Sequence, residues 1–541
     1  MRIRIRKLTS LLLSLSLLSA LTLPAAASAA MGEDLTAKDT LIHRETQLST
    51  NVFWSEAYSD LRTENLITYT PNQAVTPIVT YGDVLTDRSS VADMAAALEA
   101  EGYRVVAGIN GDFYNVNTGL PIGLVVTDGV LRSSDAGYYA IGFRADGTAI
   151  LGKPSIRVSA DLGYTVDDGF GTSTEVVRPV AAVNKARTNS GIFLYTYDFN
   201  AKHTTGTTET GVNVVCAIEE GSLTIGGTVT ARVERVEEST VTALQPGEIV
   251  LSANSQADTY YSGALQSMQP GSTVTLSVTA ADEGWNDVKY AVGALYCLAE
   301  NGVVASGLAA GTNPRTAVGQ KADGTLVFYT VDGRRSGHSI GASMTQVGER
   351  LLELGCQTVL CLDGGGSTNL AVTTPDSTTA TIINRPSETG RKVTNQVFLV
   401  ASDRASGDLD HFYVNAANDY VLAGSTVPVT ASGVDSNYIP MDASYDLSAS
   451  AGAITEQGGR QLLVTPASGG DITVTASGRG AKGSTVVHAI RTPDTLTIKN
   501  GSTALTSLTL TPGSSVNLSA EAVWNHMTLW NNGEAVTWRF T

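Results

Sequence analysis

The chain has 541 residues, of which 42% are hydrophobic, and a formal net charge of −17 at pH 7. This length favours about three domains, and the hydrophobic content is ordinary for folded proteins. The acidic balance argues against nucleic acid as a partner, because phosphate backbones attract basic surfaces.

The first 30 residues show the three-part pattern of a secretory signal peptide. A basic start, MRIRIRK, is followed by a Leu-rich stretch and by the small residues Ala-Ser-Ala at 27–29. The alternative, a membrane anchor, requires about 20 apolar residues without a cleavage site. We therefore expect cleavage near Ala29 or Ala30, no transmembrane segment afterwards, and a protein that is secreted or associated with the cell surface.

The four cysteines are too few and too scattered for a disulfide scaffold. Pairing would allow three connectivities, but small buried side chains are the favoured interpretation for most of them. No Cys-x-x-Cys or Cys/His cluster with zinc spacing is present. No cofactor is predicted, although a divalent metal held by Asp and Asn side chains remains an open alternative. The cysteines are Cys216, Cys297, Cys356 and Cys361.

Two segments before residue 402 have helical periodicity, and the rest reads as short strands. The segments 89–103 and 343–356 each begin at a serine N-cap and end at a glycine. Each is followed by a β-branched strand that ends in a polar, Gly-rich turn. These patterns predict an α+β fold, with a mixed-sheet catalytic domain of few helices over 31–402.

From residue 403 onward the helical periodicity disappears, and Ser, Thr, Val, Gly and Ala dominate. AGSTVPVTASGV, starting at Ala423, is echoed 89 residues later by PGSSVNLSAEAV, starting at Pro512. This period matches one immunoglobulin-like sandwich. We expect an all-β immunoglobulin-like module at 403–491 and the start of a second, incomplete one at 492–541. Association with the cell wall through these modules is a further expectation.

Three polar clusters lie at predicted strand ends or turns. Between 311 and 400, basic residues slightly outnumber acidic ones in an otherwise acidic chain. Arginines beside turns rich in Gly and Asn favour an anionic ligand, whereas the alternative is a set of solvated surface arginines. The clusters are GINGDFYN at 108–115, NPRTAVGQKADGTLVFYTVDGRRSGHSIG at 313–341, and LDGGGSTN at 362–369 with NRPSETGRKVTNQ at 384–396.

The triple glycine and the carboxylates of these clusters indicate chemistry. Residues 364–367 are expected to present consecutive N–H groups as an anion-binding nest. Asp112, Asp332 and Asp363 suit acid–base work on a glycosidic or phosphodiester bond. For Asp332 the alternative is a hairpin turn, and for His338 it is a structural role.

Taken in order, these stretches resemble the bacterial phosphodiester glycosidases related to the lysosomal uncovering enzyme, N-acetylglucosamine-1-phosphodiester α-N-acetylglucosaminidase. The resemblance spans about residues 100–400. It is carried by the combination Arg-Thr-Ala-x-Gly, Asp-Gly-Arg and Leu-Asp-Gly-Gly-Gly-Ser, together with PIGLVVTDGVL, AVNKARTNSGIFLYT and NRPSETGRKVTNQVFLV. It implies hydrolysis of a sugar-1-phosphodiester at the glycosidic carbon, which leaves the phosphate on the acceptor.

The resemblance and the residue chemistry together predict the members of the site. We expect Asp363 to face the sugar and the bare glycine backbone to face the phosphate. The predicted catalytic residues are Asp363, Asp332, Asn110 and Asp112. The predicted substrate- and phosphate-binding residues are Arg315, Arg334, Gly364, Gly365, Gly366, Ser367, His338, Asn384, Arg391 and Asn395.

Three positions depart from the family pattern and leave the exact substrate open. Gln346 stands where a glutamate is usual, Thr368 replaces a serine, and VGALYC at 292–297 lacks the usual glycines and proline. The expected partner is a carbohydrate phosphodiester on cell-wall or extracellular glycans. Two alternatives remain: a metal-dependent phosphodiesterase that breaks the P–O bond, and a polysaccharide-binding protein without turnover.

Overall fold

The structure is a computed structural model that describes residues 30–167, 169–170 and 172–539. Positions 1–29 of the predicted signal peptide therefore lie outside the described residues. The largest sheet has eight antiparallel strands. In spatial order they are Glu33–His43, Thr46–Ser55, Asp60–Tyr69, Leu326–Val331, Arg315–Lys321, Cys356–Cys361, Tyr296–Glu300 and Val303–Val304.

Two five-stranded antiparallel sheets pack against the large sheet. Ile67, Val106, Ile141 and Leu360 come from all three sheets and lie in one buried apolar cluster, so their burial holds the sheets together. The first sheet, in spatial order, comprises Thr381–Ile382, Leu370–Val372, Arg104–Asn110, Gln396–Ala401 and Val75–Thr80. The second comprises Val130–Ser133, Val125–Thr127, Val288–Ala294, Tyr139–Arg144 and Ala149–Gly152.

A closed barrel lies between these elements in the chain and was not predicted. Its interior is filled by β-branched and aliphatic side chains such as Val214, Val229 and Leu276, as expected for a small barrel. Its strands, in spatial order, are Arg157–Asp167, Ser173–Val183, Ile192–Thr196, Glu248–Asn254, Gly211–Gly221, Thr228–Ser239 and Thr273–Thr279.

Three α-helices occur in the described residues, and two of them are the predicted ones. Helix α1 is Val91–Ala100, helix α2 is Thr259–Gln266 and helix α3 is Met344–Glu353. Helix α2 was not predicted because it is short, although Asp258 caps it through two backbone N–H groups. No helix in the described part of the chain is both long and apolar enough to span a bilayer. Single 3₁₀ turns lie at Tyr197–Phe199, Glu283–Trp285 and Gly365–Ser367.

Two β layers beyond residue 403 share a core, in which Phe412, Val427 and Val487 are buried. The confirmed fold class is therefore α+β with few helices, followed by β modules, whereas the domain boundaries and the immunoglobulin-like class stay predictions. One layer has Leu409–Ala416, Thr426–Asp435, Arg460–Val464 and Ala453–Gln457, with Pro440–Met441 beside the second strand. The other has Tyr420–Leu422, Ala481–Ile490, Gly470–Gly478 and Asp446–Ala449. A last sheet has Thr503–Ala504, Thr495–Asn500, Leu518–Trp524 and Met527–Leu529.

All four cysteines are free thiols. Burial raises the pKa of the Cys216, Cys356 and Cys361 thiols to about 12. These side chains therefore stay protonated and act as small apolar core groups, as the favoured interpretation expected. Cys297 is half-buried.

Candidate active site

Two strand ends that are far apart in the sequence, near Asn110 and Asp363, lie next to each other in the fold. The Asp363 N–H donates to the Gly111 carbonyl over 3.0 Å, and the Asn110 amide Nδ2 donates to the Asp363 carbonyl over 2.6 Å. The Thr316 hydroxyl donates to the other end of the Asn110 amide, 2.8 Å away. Asn110 is fully buried and therefore clamps the two turns together rather than facing solvent.

Two close neighbours and one backbone conformation explain the three glycines of the segment 363–367, which we call the glycine turn. A Cβ atom on Gly364 would lie 2.9 Å from the Pro314 carbonyl oxygen. Gly365 has φ +64°, a left-handed conformation that favours glycine. A Cβ atom on Gly366 would lie 2.3 Å from the carboxyl carbon of Glu388. Gly364 and Gly366 therefore make room for groups from other parts of the chain, and Gly365 provides the left-handed turn between them.

Three of the four N–H groups in the predicted anion nest at 364–367 are already used within the chain. The Gly364 N–H donates to Asp363 Oδ1 over 2.9 Å, and the Gly365 N–H donates to the Pro314 carbonyl over 2.9 Å. The Ser367 N–H donates to the Gly364 carbonyl over 3.3 Å. The turn thus holds the Asp363 carboxylate and admits neighbours, and it does not offer a row of free donors.

Three arginines border the glycine turn; we call them the three-arginine cluster. A Cβ atom on Gly365 would lie 3.1 Å from Arg334 Nη2, and one on Gly364 would lie 3.8 Å from Arg315 Cδ. Burial and the nearby Arg334 charge lower the pKa of Arg315, so the two guanidinium groups share one small region. The third, Arg391, is close enough for its charge to act on Asp363. Anionic ligands are favoured in such a field.

Asp363 is the predicted catalytic residue with partial access to solvent. Burial raises the pKa of its carboxyl group, although the hydrogen bonds from Ser367 and the Gly364 N–H and the charge of Arg391 act in the opposite direction. A raised pKa keeps a proton on the group to higher pH than an exposed aspartate would. Asp363 therefore has partial access to solvent, a carboxyl group with a raised pKa and arginine side chains nearby.

Asp332, in contrast, organises the residues behind the turn. Its side chain is 1% exposed, and its Oδ2 accepts from His338 Nε2 over 2.8 Å and from the Arg385 N–H over 2.9 Å. The Asn384 amide donates to Asp332 Oδ1 over 2.8 Å and accepts the Leu370 N–H over 2.9 Å. The hairpin-turn alternative for Asp332 is wrong, since the carboxylate is buried and anchors a distant loop.

Asp112 is equally enclosed. Its oxygens accept the Phe113 N–H over 2.7 Å and the Gly123 N–H over 2.8 Å, and its own N–H donates to Asn395 Oδ1 over 2.7 Å. Burial raises the pKa of the Asp112 carboxyl group, an effect that the nearby Lys185 charge opposes. Asn110, Asp112, Asp332, Asn384 and Asn395 thus form a buried polar layer beneath the accessible residues.

Sequence reasoning missed Lys185, which the barrel supplies. The Lys185 ammonium donates to the carbonyls of Pro121, Ile122 and Gly123 over 2.7–2.9 Å. Burial lowers the pKa of Lys185. The available signal was its place in AVNKARTNSGIFLYT, one of the stretches that carry the family resemblance.

Sequence reasoning also missed Glu388, the acid in the stretch NRPSETGRKVTNQ. Its Oε2 lies 2.7 Å from Arg391 Nη1, and its carboxylate lies over Gly366. The signal was an acid three residues before a predicted phosphate-binding arginine. The structure therefore adds a second carboxylate to the accessible side of the turn.

Two cavities lie beside the barrel rather than over the glycine turn. One, of about 680 Å³, is lined by Asn115, Asp135, Lys185 and neighbours; the other, of about 470 Å³, adjoins Arg187 and Tyr195. Neither is lined by the three-arginine cluster, in which Arg334 is exposed and Arg315 and Arg391 are partly buried. Within the part of the chain that the structure describes, no group of three or more His, Cys, Asp or Glu side chains has an arrangement suited to a metal ion.

Comparison with known proteins supports the resemblance. Residues 213–400 match the phosphodiester glycosidase family, and this segment includes the glycine turn and all three arginines. The SPbeta prophage-derived uncharacterized protein YomE of Bacillus subtilis (strain 168) is 48% identical over 60 residues, which are 11% of this chain and 9% of that protein. The family resemblance is therefore confirmed over the matched segment.

One solved structure with a TM-score above 0.5 shares the fold. A hypothetical protein from Synechocystis superposes with a TM-score of 0.52 at 17% identity, over 68% of this chain and 64% of that one. The catalytic domain of zebrafish N-acetylglucosamine-1-phosphodiester alpha-N-acetylglucosaminidase, described as auto-inhibited by its pro-peptide, gives a TM-score of 0.34 at 12% identity, over 68% and 88%. This chain thus spans about two thirds of the length of the Synechocystis protein and a small part of YomE.

Proposed function

Since residues 213–400 carry a phosphodiester glycosidase domain, we propose that this protein is an exported hydrolase of sugar-1-phosphodiesters. It cleaves the glycosidic bond of an N-acetylglucosamine-1-phospho-type or related substrate on cell-wall or extracellular glycans. The observation that carries the proposal is the gathering of Arg315, Arg334 and Arg391 around the half-buried Asp363.

The chemistry of the substrate explains this combination. A phosphodiester group carries a full negative charge and leaves readily, so it requires cationic partners more than a strong general acid. The three-arginine cluster supplies such partners by charge and by hydrogen bonds. Asp363 then stabilises the sugar as positive charge develops at its anomeric carbon.

Export and surface association belong to the proposal as well. The basic, apolar and small-residue pattern of the first 30 residues supports secretion. The β modules after residue 403 suit a spacer role, because nothing in their sequences indicates catalysis. The resemblance of the sequence motifs, rather than any superposition, supports N-acetylglucosamine as the sugar.

The test uses residues 30–541 and α-N-acetylglucosamine-1-phosphomethyl ester, with and without chelator, and separates the products by mass. We expect free sugar and methyl phosphate at equal rates in both conditions. Sugar-1-phosphate and methanol, lost with chelator, would overturn the proposal in favour of a metal-dependent phosphodiesterase. No turnover of a panel of sugar-1-phosphodiesters, with tight binding of a glycan, would overturn it in favour of a polysaccharide-binding protein.

A further inference from the structure

Glycosidases commonly use two carboxylates, one on each side of the bond that breaks. Of the four acids around the glycine turn, Asp112 and Asp332 are 1% exposed, and both oxygens of each already accept hydrogen bonds. They cannot reach a substrate without breaking this buried layer. Asp363 and Glu388 are the two acids of the set with access to solvent.

The Glu388 carboxylate is aimed at the backbone of the glycine turn. A Cβ atom on Gly366 would lie 2.3 Å from its carboxyl carbon and 2.4 and 2.7 Å from its two oxygens. The absence of a side chain at Gly366 is therefore the condition for Glu388 to occupy this place. With 49% of its side chain exposed, the carboxylate also reaches water.

The loop that carries Glu388 is tied down on both sides. Before it, the Arg385 N–H donates to Asp332 Oδ2 over 2.9 Å, and the Pro386 carbonyl accepts from Arg335 over 2.7 Å. After it, the Lys392 carbonyl accepts from the Tyr114 hydroxyl over 2.9 Å. The buried Asp332 thus acts at a distance, by holding the loop that presents Glu388.

Arg391 connects Glu388 with the predicted phosphate site. Its Nη1 lies 2.7 Å from Glu388 Oε2, and its charge acts on Asp363. The pair holds the carboxylate in place beside the glycine turn, which suits a group that must accept a proton.

We propose that Glu388 is the second carboxylate of the site and the general base for the attacking water; this inference rests on the proposed function. Glu388 takes a proton from water as the water oxygen bonds to the anomeric carbon. The bond from that carbon to the phosphate oxygen breaks, and its electron pair stays on the phosphate, which leaves as a monoester beside the three-arginine cluster. The proton then passes from Glu388 to solvent.

The test compares Glu388→Gln and Glu388→Ala with the wild-type chain, residues 30–541, on the same sugar-1-phosphomethyl ester. Because general-base catalysis contributes about 100-fold or more, we expect kcat to fall by about that factor in both variants. KM should change by less than about threefold, since the interaction is realised in the transition state. Azide should restore turnover of Glu388→Ala and yield the glycosyl azide by mass.

The matched control is Glu349→Gln, an exposed acid on α3 away from the turn, which should keep wild-type kcat and KM. Unchanged kcat in Glu388→Gln would overturn the inference. A lower KM with unchanged kcat would also overturn it, by showing that Glu388 competes with the phosphate for Arg391. A wild-type chain without activity would remove the proposed function together with this inference, whereas an active wild type with an unaffected variant would remove this inference alone.

Discussion

The acids near the glycine turn differ in their access to substrate. The carboxylate oxygens of Asp112 and Asp332 accept hydrogen bonds from partners inside the protein. Asp363, in contrast, is half-buried and has a raised pKa, and the Glu388 side chain is about half exposed to solvent. The sequence predicted three of these acids and favoured Asp363 among them. It did not predict the burial of Asp112 and Asp332, because their partners Gly123, Asn384 and Arg385 come from separate segments of the chain. We therefore propose that the buried pair positions other residues and that the accessible pair carries the chemistry.

Replacing Asp363 by asparagine should remove activity while keeping the turn. The asparagine oxygen can still accept the Gly364 N–H, so the fold should be retained. We expect kcat to fall by about 100-fold or more, because a preorganised charge near the developing positive centre is lost. Steady-state kinetics and thermal unfolding check this, and a variant with wild-type kcat and KM would contradict the role of Asp363.

Replacing Arg334 by alanine should weaken substrate binding. The side chain is exposed and hydrogen-bonds Asn313, so little stability depends on it. Hydrogen bonds between charged groups contribute about 1.5–3 kcal/mol, and KM should therefore rise about 10-fold or more. Arg460→Ala, at an exposed position in the C-terminal β module, is the control. Equal KM values in both variants would show that Arg334 does not contact the phosphate.

Local sequence predicted helices α1 and α3 and the strand ends, but it did not predict the reasons for the glycines. Ser90 and Ser343 cap α1 and α3 as expected, and Gln346 completes the capping box of α3. The departure at Gln346 therefore serves a helix terminus, with its Nε2 also donating to the Ala30 carbonyl over 3.1 Å. The glycine turn, in contrast, needs glycines because Pro314 and Glu388 approach its backbone closely. These two residues come near the turn only in the folded chain.

Helix α3 is fixed to the large sheet by a buried ion pair, which gives a stability prediction. Arg350 Nη2 lies 2.7 Å from Glu64 Oε1, and the Glu64 side chain is fully buried. Glu64→Gln leaves the guanidinium with the more exposed Glu353, 3.5 Å from Nη1, as its counter-charge. It should lower the free energy of unfolding by about 3 kcal/mol, the lower end of the range for a broken buried ion pair. Urea unfolding measures this, with Glu349→Gln as the exposed control on the same helix. Equal stability of the two variants would contradict the account.

At the scale of the molecule, sequence periodicity gave the β modules and missed the barrel. The repeat beginning at Ala423 and Pro512 is visible in the amino-acid sequence itself. The barrel is not, because strands such as Arg157–Asp167 and Thr273–Thr279 pair across more than 100 residues. Lys185 follows a barrel strand and donates to the carbonyls of residues 121–123 near Asp112. It was missed for the same reason.

The junction with the C-terminal modules should respond to acid through His43. Its ring is buried, lies 5.5 Å from the Tyr438 ring and has its pKa lowered from 6.5 to about 4 by burial and by Arg104. Between pH 6.5 and 4 the histidine is therefore protonated in the unfolded chain and neutral in the folded chain. The free energy of unfolding consequently falls as the pH falls through this range.

We expect the free energy of unfolding to drop by about 2 kcal/mol between pH 7 and pH 5 through this residue. His43→Gln should flatten that part of the profile, and His488→Gln, on the C-terminal module, should leave it unchanged. Urea unfolding at both pH values measures the difference. Parallel profiles for wild type and His43→Gln would rule out His43 as the acid-sensitive group.

The most direct test of the central claim is hydrolysis of α-N-acetylglucosamine-1-phosphomethyl ester in ¹⁸O-labelled water, with the products weighed by mass spectrometry. Attack at the anomeric carbon beside Asp363 predicts that the methyl phosphate carries no label and that the heavy oxygen enters the sugar. Labelled phosphate would mean that the P–O bond breaks, and it would contradict the assignment of this site to glycosidic cleavage.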